Sequence, residues 1–172
     1  MWVSGYGSLM WDGWERPLGG TRVDGAALAD YRRSFNKESV KNWGTSNSPA
    51  PTLGLEPTPG ANCIGTAFEF PEEQSTTVTT LLRTREGASF ALVERLVRLP
   101  DRREIQALTP VNDRNHSTYI GNMPIEQRAA LARTAAGTCG TCIDYVRNIQ
   151  HKLDSLGIVD AEVREFLALI DP

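Results

Sequence analysis

Few side chains in this sequence are placed to move protons, and one carboxylate stands apart. Glu86 lies in Arg83-Thr84-Arg85-Glu86-Gly87-Ala88-Ser89-Phe90, where a helical pattern stops and a strand pattern starts. Its C-terminal neighbours are small and apolar, so a dry pocket around it is expected. Desolvation there would raise a carboxyl toward the range useful for proton transfer. The bland reading is a surface glutamate paired with Arg83 or Arg85. Gly5-Tyr6-Gly7-Ser8-Leu9-Met10 begins like a dinucleotide-binding fingerprint, but the third glycine is missing and Trp11-Asp12-Gly13-Trp14 does not open a helix. Two glycines around a tyrosine straight after a strand still let the backbone turn sharply and expose adjacent N–H groups. Such a nest holds a carboxylate or an oxyanion; a plain tight turn uses the same residues.

Cys139-Gly140-Thr141-Cys142 is a C-x-x-C. Thr141 is an N-cap candidate with Asp144 three residues on, which places Cys142 in the first turn, where a helix N-terminus lowers a thiol pKa. A redox role is one reading; the absence of a thioredoxin-like βαβ context and of a second cysteine pair favours plain packing. His116, in Asp113-Arg114-Asn115-His116, reads as a solvated loop residue. No G-x-S-x-G elbow and no cysteine with an evident histidine partner supports a serine or cysteine hydrolase.

The elements that must position these groups fall into a strand-rich front and a helical back. Trp2–Tyr6, Ala26–Phe35 and Cys63–Phe70 are expected as strands, and Ser89–Leu99 with Glu104–Val111 as a strand pair. Residues 42 to 62 carry four prolines (Pro49, Pro51, Pro57, Pro59) and read as a long loop bordering the pocket, with a short extended piece near Thr52–Leu55. Glu72–Arg83 reads as a helix. Ile125, Ala129, Ala132 and Ala136 mark a second helix, with Pro124 at its first position. Ile143 to Leu156 mark a third, stopped by Gly157, and a fourth is capped by Asp160. Strands first and helices later, without βαβ alternation, point to an α+β fold.

The 172 residues are read as a single domain, 1–172, with 40% hydrophobic and 23% charged residues. Eighteen Lys and Arg against 21 Asp and Glu leave a net charge of −3, without the basic excess that marks a nucleic-acid or anionic-membrane partner. No apolar run approaches the ~20 residues that span a bilayer. The first residues show no export signal, and three cysteines are too few for a secreted scaffold, so a cytoplasmic protein is expected. Two histidines argue against a His-rich metal site, and no metal is expected. Nothing in the pattern specifies an oligomeric state.

Several segments, in order, resemble the ChaC-type γ-glutamylcyclotransferases. Trp2-Val3-Ser4-Gly5-Tyr6-Gly7-Ser8-Leu9-Met10-Trp11 resembles the family's opening strand and G-Y-G-S-L-I-W loop. Tyr31-Arg32-Arg33-Ser34-Phe35 resembles its S-R-R-F strand, and Cys63-Ile64-Gly65-Thr66-Ala67-Phe68 its C-x-G-x-A-Y strand. Arg85-Glu86 aligns with the R-E whose glutamate is the family's acid–base residue. Asn115 to Pro124 resembles N-P-x-Y-L-G-P-x-P, which brings in Tyr119. The resemblance implies a small mixed β-barrel flanked by helices, with a helical C-terminal part. It implies a cofactor-free reaction on a small γ-glutamyl substrate: the α-amine attacks the γ-glutamyl carbonyl, releasing 5-oxoproline and the amine portion, Cys-Gly in the case of glutathione. Glu86 would be the catalytic acid–base, and Gly5, Tyr6, Gly7, Ser8, Leu9 and Tyr119 would bind substrate. Three departures stand out: Ser4 replaces an aromatic residue, Phe90 a tyrosine, and Lys41-Asn42-Trp43-Gly44-Thr45-Ser46 lacks the arginine of D-H-R-G-T-P. They leave the amine portion open, and a catalytically silent ligand-binding member remains the alternative.

Overall fold

The computed structural model describes Met1–Asp171. Its strands are β1 (Trp2–Gly5), β2 (Thr21–Ser39), β3 (Ala50–Glu69), β4 (Phe90–Arg98), β5 (Glu104–Asn112) and the two-residue β6 (Ala136–Gly137) and β7 (Gly140–Thr141). Its α-helices are α1 (Ser75–Glu86), α2 (Ile125–Ala132), α3 (Cys142–Ser155) and α4 (Ala161–Ile170). The first five strands close a barrel in the order β1-β3-β2-β4-β5. β1 runs antiparallel to β3, with Gly5 opposite Thr66, and parallel to β5, with Val3 opposite Leu108. Mixed pairing in a closed α+β barrel is the architecture the resemblance implied. Among the described residues no helix is long and apolar enough to cross a membrane.

Two compact units divide the chain: one comprises Met1–Arg32 and Pro57–Asp113, the other Arg33–Glu56 and the residues from Arg114 onward. In the first, Val3, Leu9, Trp14, Phe68, Phe70, Val78 and Leu82 form a buried cluster. Val78 and Leu82, four residues apart, give α1 one apolar stripe for this cluster, and the Trp14 ring lies 5.3 Å from Phe68 and 5.2 Å from Phe70. In the second, Phe35 stacks on Phe166 at 4.1 Å, and the buried faces of α3 (Val146, Ile149, Leu153) and α4 (Val163, Phe166, Ile170) repeat at three- and four-residue spacing. A fully buried Phe contributes about 1.5–3 kcal/mol by leaving water.

Helix ends follow the expected chemistry. Thr141 and Asp144 form a reciprocal capping box on α3, and the Asp160 carboxylate accepts from Val163 N at 3.2 Å to start α4. Pro124 occupies the cap position of α2 rather than its first turn. Ala136 is not part of that helix: α2 stops at Ala132, and Ala136 pairs with Thr141 across the small β6–β7 turn. The helix read over Glu72–Arg83 is a 3₁₀ turn (Glu72–Gln74) followed by α1 through Glu86.

The largest correction concerns residues 42 to 62. They are no long loop, because β3 begins at Ala50 and runs 20 residues without interruption. Proline and glycine locally argue against a strand, but here tertiary partners satisfy the backbone. Leu53 N donates to the Tyr145 hydroxyl at 3.1 Å, Thr52 Oγ1 donates to Lys37 O at 3.1 Å, and Pro51 O accepts the Cys142 thiol at 3.3 Å. The connection shrinks to the residues between Ser39 and Ala50. Within it, Trp43 is half-buried, its ring 5.2 Å from Tyr145.

Candidate active site

β1 delivers the Gly5–Met10 segment, and two glycines allow its close path. A Cβ on Gly65 of β3 would lie 2.3 Å from Gly5 O, and one on Gly5 would lie 2.9 Å from Leu9 Cβ. Beyond Gly5 the Tyr6 ring is buried, and its hydroxyl donates to Pro110 O at 2.9 Å. Ser8–Met10 then form one 3₁₀ turn, closed by Met10 N donating to Gly7 O at 2.9 Å. The next carbonyls are held by internal donors: Trp14 Nε1 to Leu9 O at 3.2 Å, and Arg22 Nη2 to Met10 O at 2.8 Å. As at any helical start, the first N–H groups, here those of Ser8 and Leu9, have no partner within the turn. Leu9 itself is core, so its contribution to a site is its backbone.

Glu86 is the last residue of α1. Gly87 follows at φ +71°, a left-handed conformation that turns the chain away toward Phe90 and β4. The Glu86 side chain is only 16% exposed. Gly87 and Ala88, expected to wall a dry pocket around it, are themselves exposed and do not provide its shielding. Arg85 is the partner that the bland reading proposed, at a distance too long for a hydrogen bond: Nε lies 3.8 Å from Glu86 Oε1. The rest of that guanidinium turns to the glycine segment. Nη2 donates to Ser8 Oγ at 3.2 Å, and Nη1 pairs with the Asp12 carboxylate. Arg85 therefore joins the end of α1 to the 3₁₀ turn, bringing Ser8 and Glu86 around one cation.

Tyr119 belongs to the second unit, where its hydroxyl donates to Glu56 Oε2 at 2.9 Å. Asn36 Nδ2 donates to the same oxygen at 2.9 Å, and Arg114 lies 3.6 Å from Oε1 and 5.6 Å from the centre of the Tyr119 ring. Burial first, then the hydrogen bond to Glu56, raises the Tyr119 phenol above its ordinary pKa, so it stays a proton donor at neutral pH. His116 is a local brace: its Nδ1 accepts from Thr118 N at 3.2 Å.

The cysteines correct one expectation. Cys142 opens α3 behind its Thr141 cap, but burial outweighs the helix terminus and pushes its thiol up to about 12. Its Sγ donates to Pro51 O, and Cys139 is an exposed free thiol. A Cys139→Ser/Cys142→Ser variant should keep wild-type turnover under reducing conditions, because serine preserves the bond to Pro51 and the proposed reaction has no thiol step. Steady-state rates with a melting curve check this; loss of turnover in a folded variant would restore the redox reading.

Asp12, Arg22 and Trp14 were missed as supporting residues. Arg85 was named only as an ion-pair partner. The Asp12–Arg85 contact spans 73 residues, while Trp14 reaches Leu9 over five and Arg22 reaches Met10 over twelve, through side-chain-to-backbone bonds that residue type alone does not announce.

The family model for ChaC-like proteins matches residues 1–171. The glutathione-specific γ-glutamylcyclotransferase of Escherichia coli K12 is 28% identical over 172 residues, covering 99% of this chain and 72% of that protein. An Arabidopsis thaliana protein named γ-glutamylcyclotransferase 2-1 is 31% identical over 163 residues, covering 87% of this chain and 72% of its own length. A yeast crystal structure described as a γ-glutamyl cyclotransferase specific to glutathione superposes with a TM-score of 0.89 at 19% identity, covering 99% of this chain and 95% of that one, a likeness of fold. The chain belongs to the ChaC-like family, of γ-glutamylcyclotransferase class.

Proposed function

We propose that the protein converts a small γ-glutamyl compound to 5-oxoproline, with Glu86 as general acid–base and the Gly5–Leu9 segment as the holder of substrate oxygens. The observation that carries this reading is the largely buried Glu86 carboxylate at the end of α1, tied through Arg85 to Ser8. A free α-amine with a pKa near 8 is mostly protonated at neutral pH and cannot attack a carbonyl. Glu86 takes that proton. The amine nitrogen then bonds to the γ-glutamyl carbonyl carbon, whose oxygen gains charge in the tetrahedral intermediate. The bond to the departing nitrogen breaks as Glu86 returns the proton to it, and the oxygen reforms the carbonyl. The ring nitrogen gives up its second proton to the released amine, which leaves 5-oxoproline with a neutral lactam nitrogen, and an ammonium.

Two further demands shape the site. The substrate must curl so that its own amine reaches its carbonyl, and the charge developing on oxygen needs fixed donors. The N–H groups of Ser8 and Leu9 suit the second demand because, as the first of the 3₁₀ turn, they have no partner within it. Tyr119, a protonated phenol beside Glu56, is assigned to substrate binding by its place in the family motif. The names of the E. coli and yeast proteins make glutathione the first candidate substrate.

The test is a panel of glutathione, γ-glutamyl dipeptides and γ-glutamylamines, assayed for 5-oxoproline. The expected result is release in equal amount with the amine portion for at least one compound. Binding of a panel compound without 5-oxoproline would leave a silent ligand-binding member of the family.

A further inference from the structure

We infer that Arg85 binds the α-carboxylate of the γ-glutamyl substrate, so that Arg85 and Glu86 together read its zwitterionic head. The inference rests on the acid–base reading of Glu86 and adds the group beside it that selects the substrate. A γ-glutamyl compound carries its ammonium and its α-carboxylate on one carbon. A site that took up the ammonium alone would draw the carboxylate out of water without a partner, which is unfavourable. The complement such a head requires is a carboxylate and a cation side by side. Glu86 and Arg85 supply it, with Arg85 Nε 3.8 Å from Glu86 Oε1. Adjacent helix positions do not face each other, so the closeness of these two charged ends is a particular feature of the end of α1.

The contacts of Arg85 suit a carboxylate ligand. Its Nη2 donates to Ser8 Oγ at 3.2 Å, which anchors the guanidinium on the segment whose N–H groups are assigned to the developing oxyanion. Its Nη1 pairs with Asp12. A guanidinium carries five N–H donors in a planar fork, so these two bonds leave it able to take a further carboxylate. The two side chains are 25% and 37% exposed, so an incoming anion can share the guanidinium with Asp12 or replace it. Arg22 also bonds this segment, but its Nη2 is shared among Met10 O, Asp24 Oδ1 and Thr66 Oγ1. Arg85 is therefore the cation beside both Glu86 and Ser8.

The experiment uses the full chain, the best substrate of the panel and the α-carboxamide of that substrate. The carboxamide keeps the amine, the γ-carbonyl and the amine portion, and loses only the negative charge. Release of the amine portion follows both compounds; where turnover is too slow, competitive inhibition of the parent reaction gives the affinity. Wild type should use the carboxamide with kcat/KM about ten- to a hundredfold below the parent, chiefly through KM, the size of a hydrogen bond to a charged group. Arg85→Gln should raise KM for the parent by a similar factor and move the carboxamide less than about twofold. Arg85→Lys, which keeps the charge without the fork, should retain only part of the wild-type preference. An arginine that merely braced Ser8 would lower both compounds alike when replaced. Equal losses on the two compounds in a folded Arg85→Gln protein therefore overturn the inference. Should Arg85→Gln fail to fold by its melting curve, an undiminished preference in Arg85→Lys overturns it instead. A wild type that releases 5-oxoproline from no panel compound overturns the acid–base reading as well; an active wild type indifferent to the α-carboxylate overturns this inference alone.

Discussion

Glu86→Gln lowers kcat by about 10²- to 10⁴-fold while the protein stays folded, the range that positioned acid–base groups contribute. Glutamine has the same length and still offers an oxygen to Arg85, so the end of α1 and its Gly87 turn keep their shape. What it cannot do is accept the α-ammonium proton and hand it to the departing nitrogen. Both transfers fail together, so the loss belongs in kcat, with KM little changed. Steady-state assays of 5-oxoproline, paired with a melting curve, read the two effects separately. Near wild-type turnover in a folded Glu86→Gln protein would remove Glu86 from the proton path and send the search to other carboxylates.

Glu162→Leu destabilises the protein by about 3–5 kcal/mol, the cost of leaving one member of a buried ion pair uncompensated. Glu162 Oε1 accepts from Ser34 Oγ at 2.9 Å and Phe35 N at 3.2 Å, and lies 3.7 Å from Arg128 Nη1. The two charged side chains are 9% and 12% exposed, so water screens them little. Arg128 already has one buried nitrogen, Nε, without a hydrogen-bond partner, and depends on Ser34 Oγ and Phe35 O for its other contacts. With a total stability of about 5–15 kcal/mol for an ordinary domain, this single change consumes a large part of it. Urea midpoints at unchanged m-value measure the loss. Arg128→Met/Glu162→Leu should recover much of it, since removing both charges leaves neither one buried without its partner. A double variant less stable than Glu162→Leu would show that Arg128 is not left as an uncompensated charge when Glu162 is removed.

Much of the architecture was legible because its determinants are local. Thr141 with Asp144, and Asp160 ahead of Val163, set helix starts through bonds spanning three residues. The apolar repeat of Val146, Ile149 and Leu153 set a buried face through helix geometry alone. Glu86 could be placed at a helix–strand junction because Gly87 supplies the left-handed residue that such an exit needs.

The rest was decided by partners far apart in sequence. The prolines of residues 49 to 59 signal a loop to any short window, and barrel neighbours together with partners such as Tyr145, 92 residues beyond Leu53, make that backbone a satisfied strand. The position of Cys142 in a first turn suggested a reactive thiolate; burial, which no spacing reveals, raised its pKa instead. Sequence also singled out Glu86 without saying what surrounds it. Its small neighbours proved exposed, and the setting came from Arg85, reaching back to Ser8 and to Asp12 73 residues earlier. Residue type and short-range spacing determine which groups can do chemistry and which helix or strand carries them, since both follow from backbone geometry. Desolvation and charge pairing depend on distances through space, and only the closed barrel sets those.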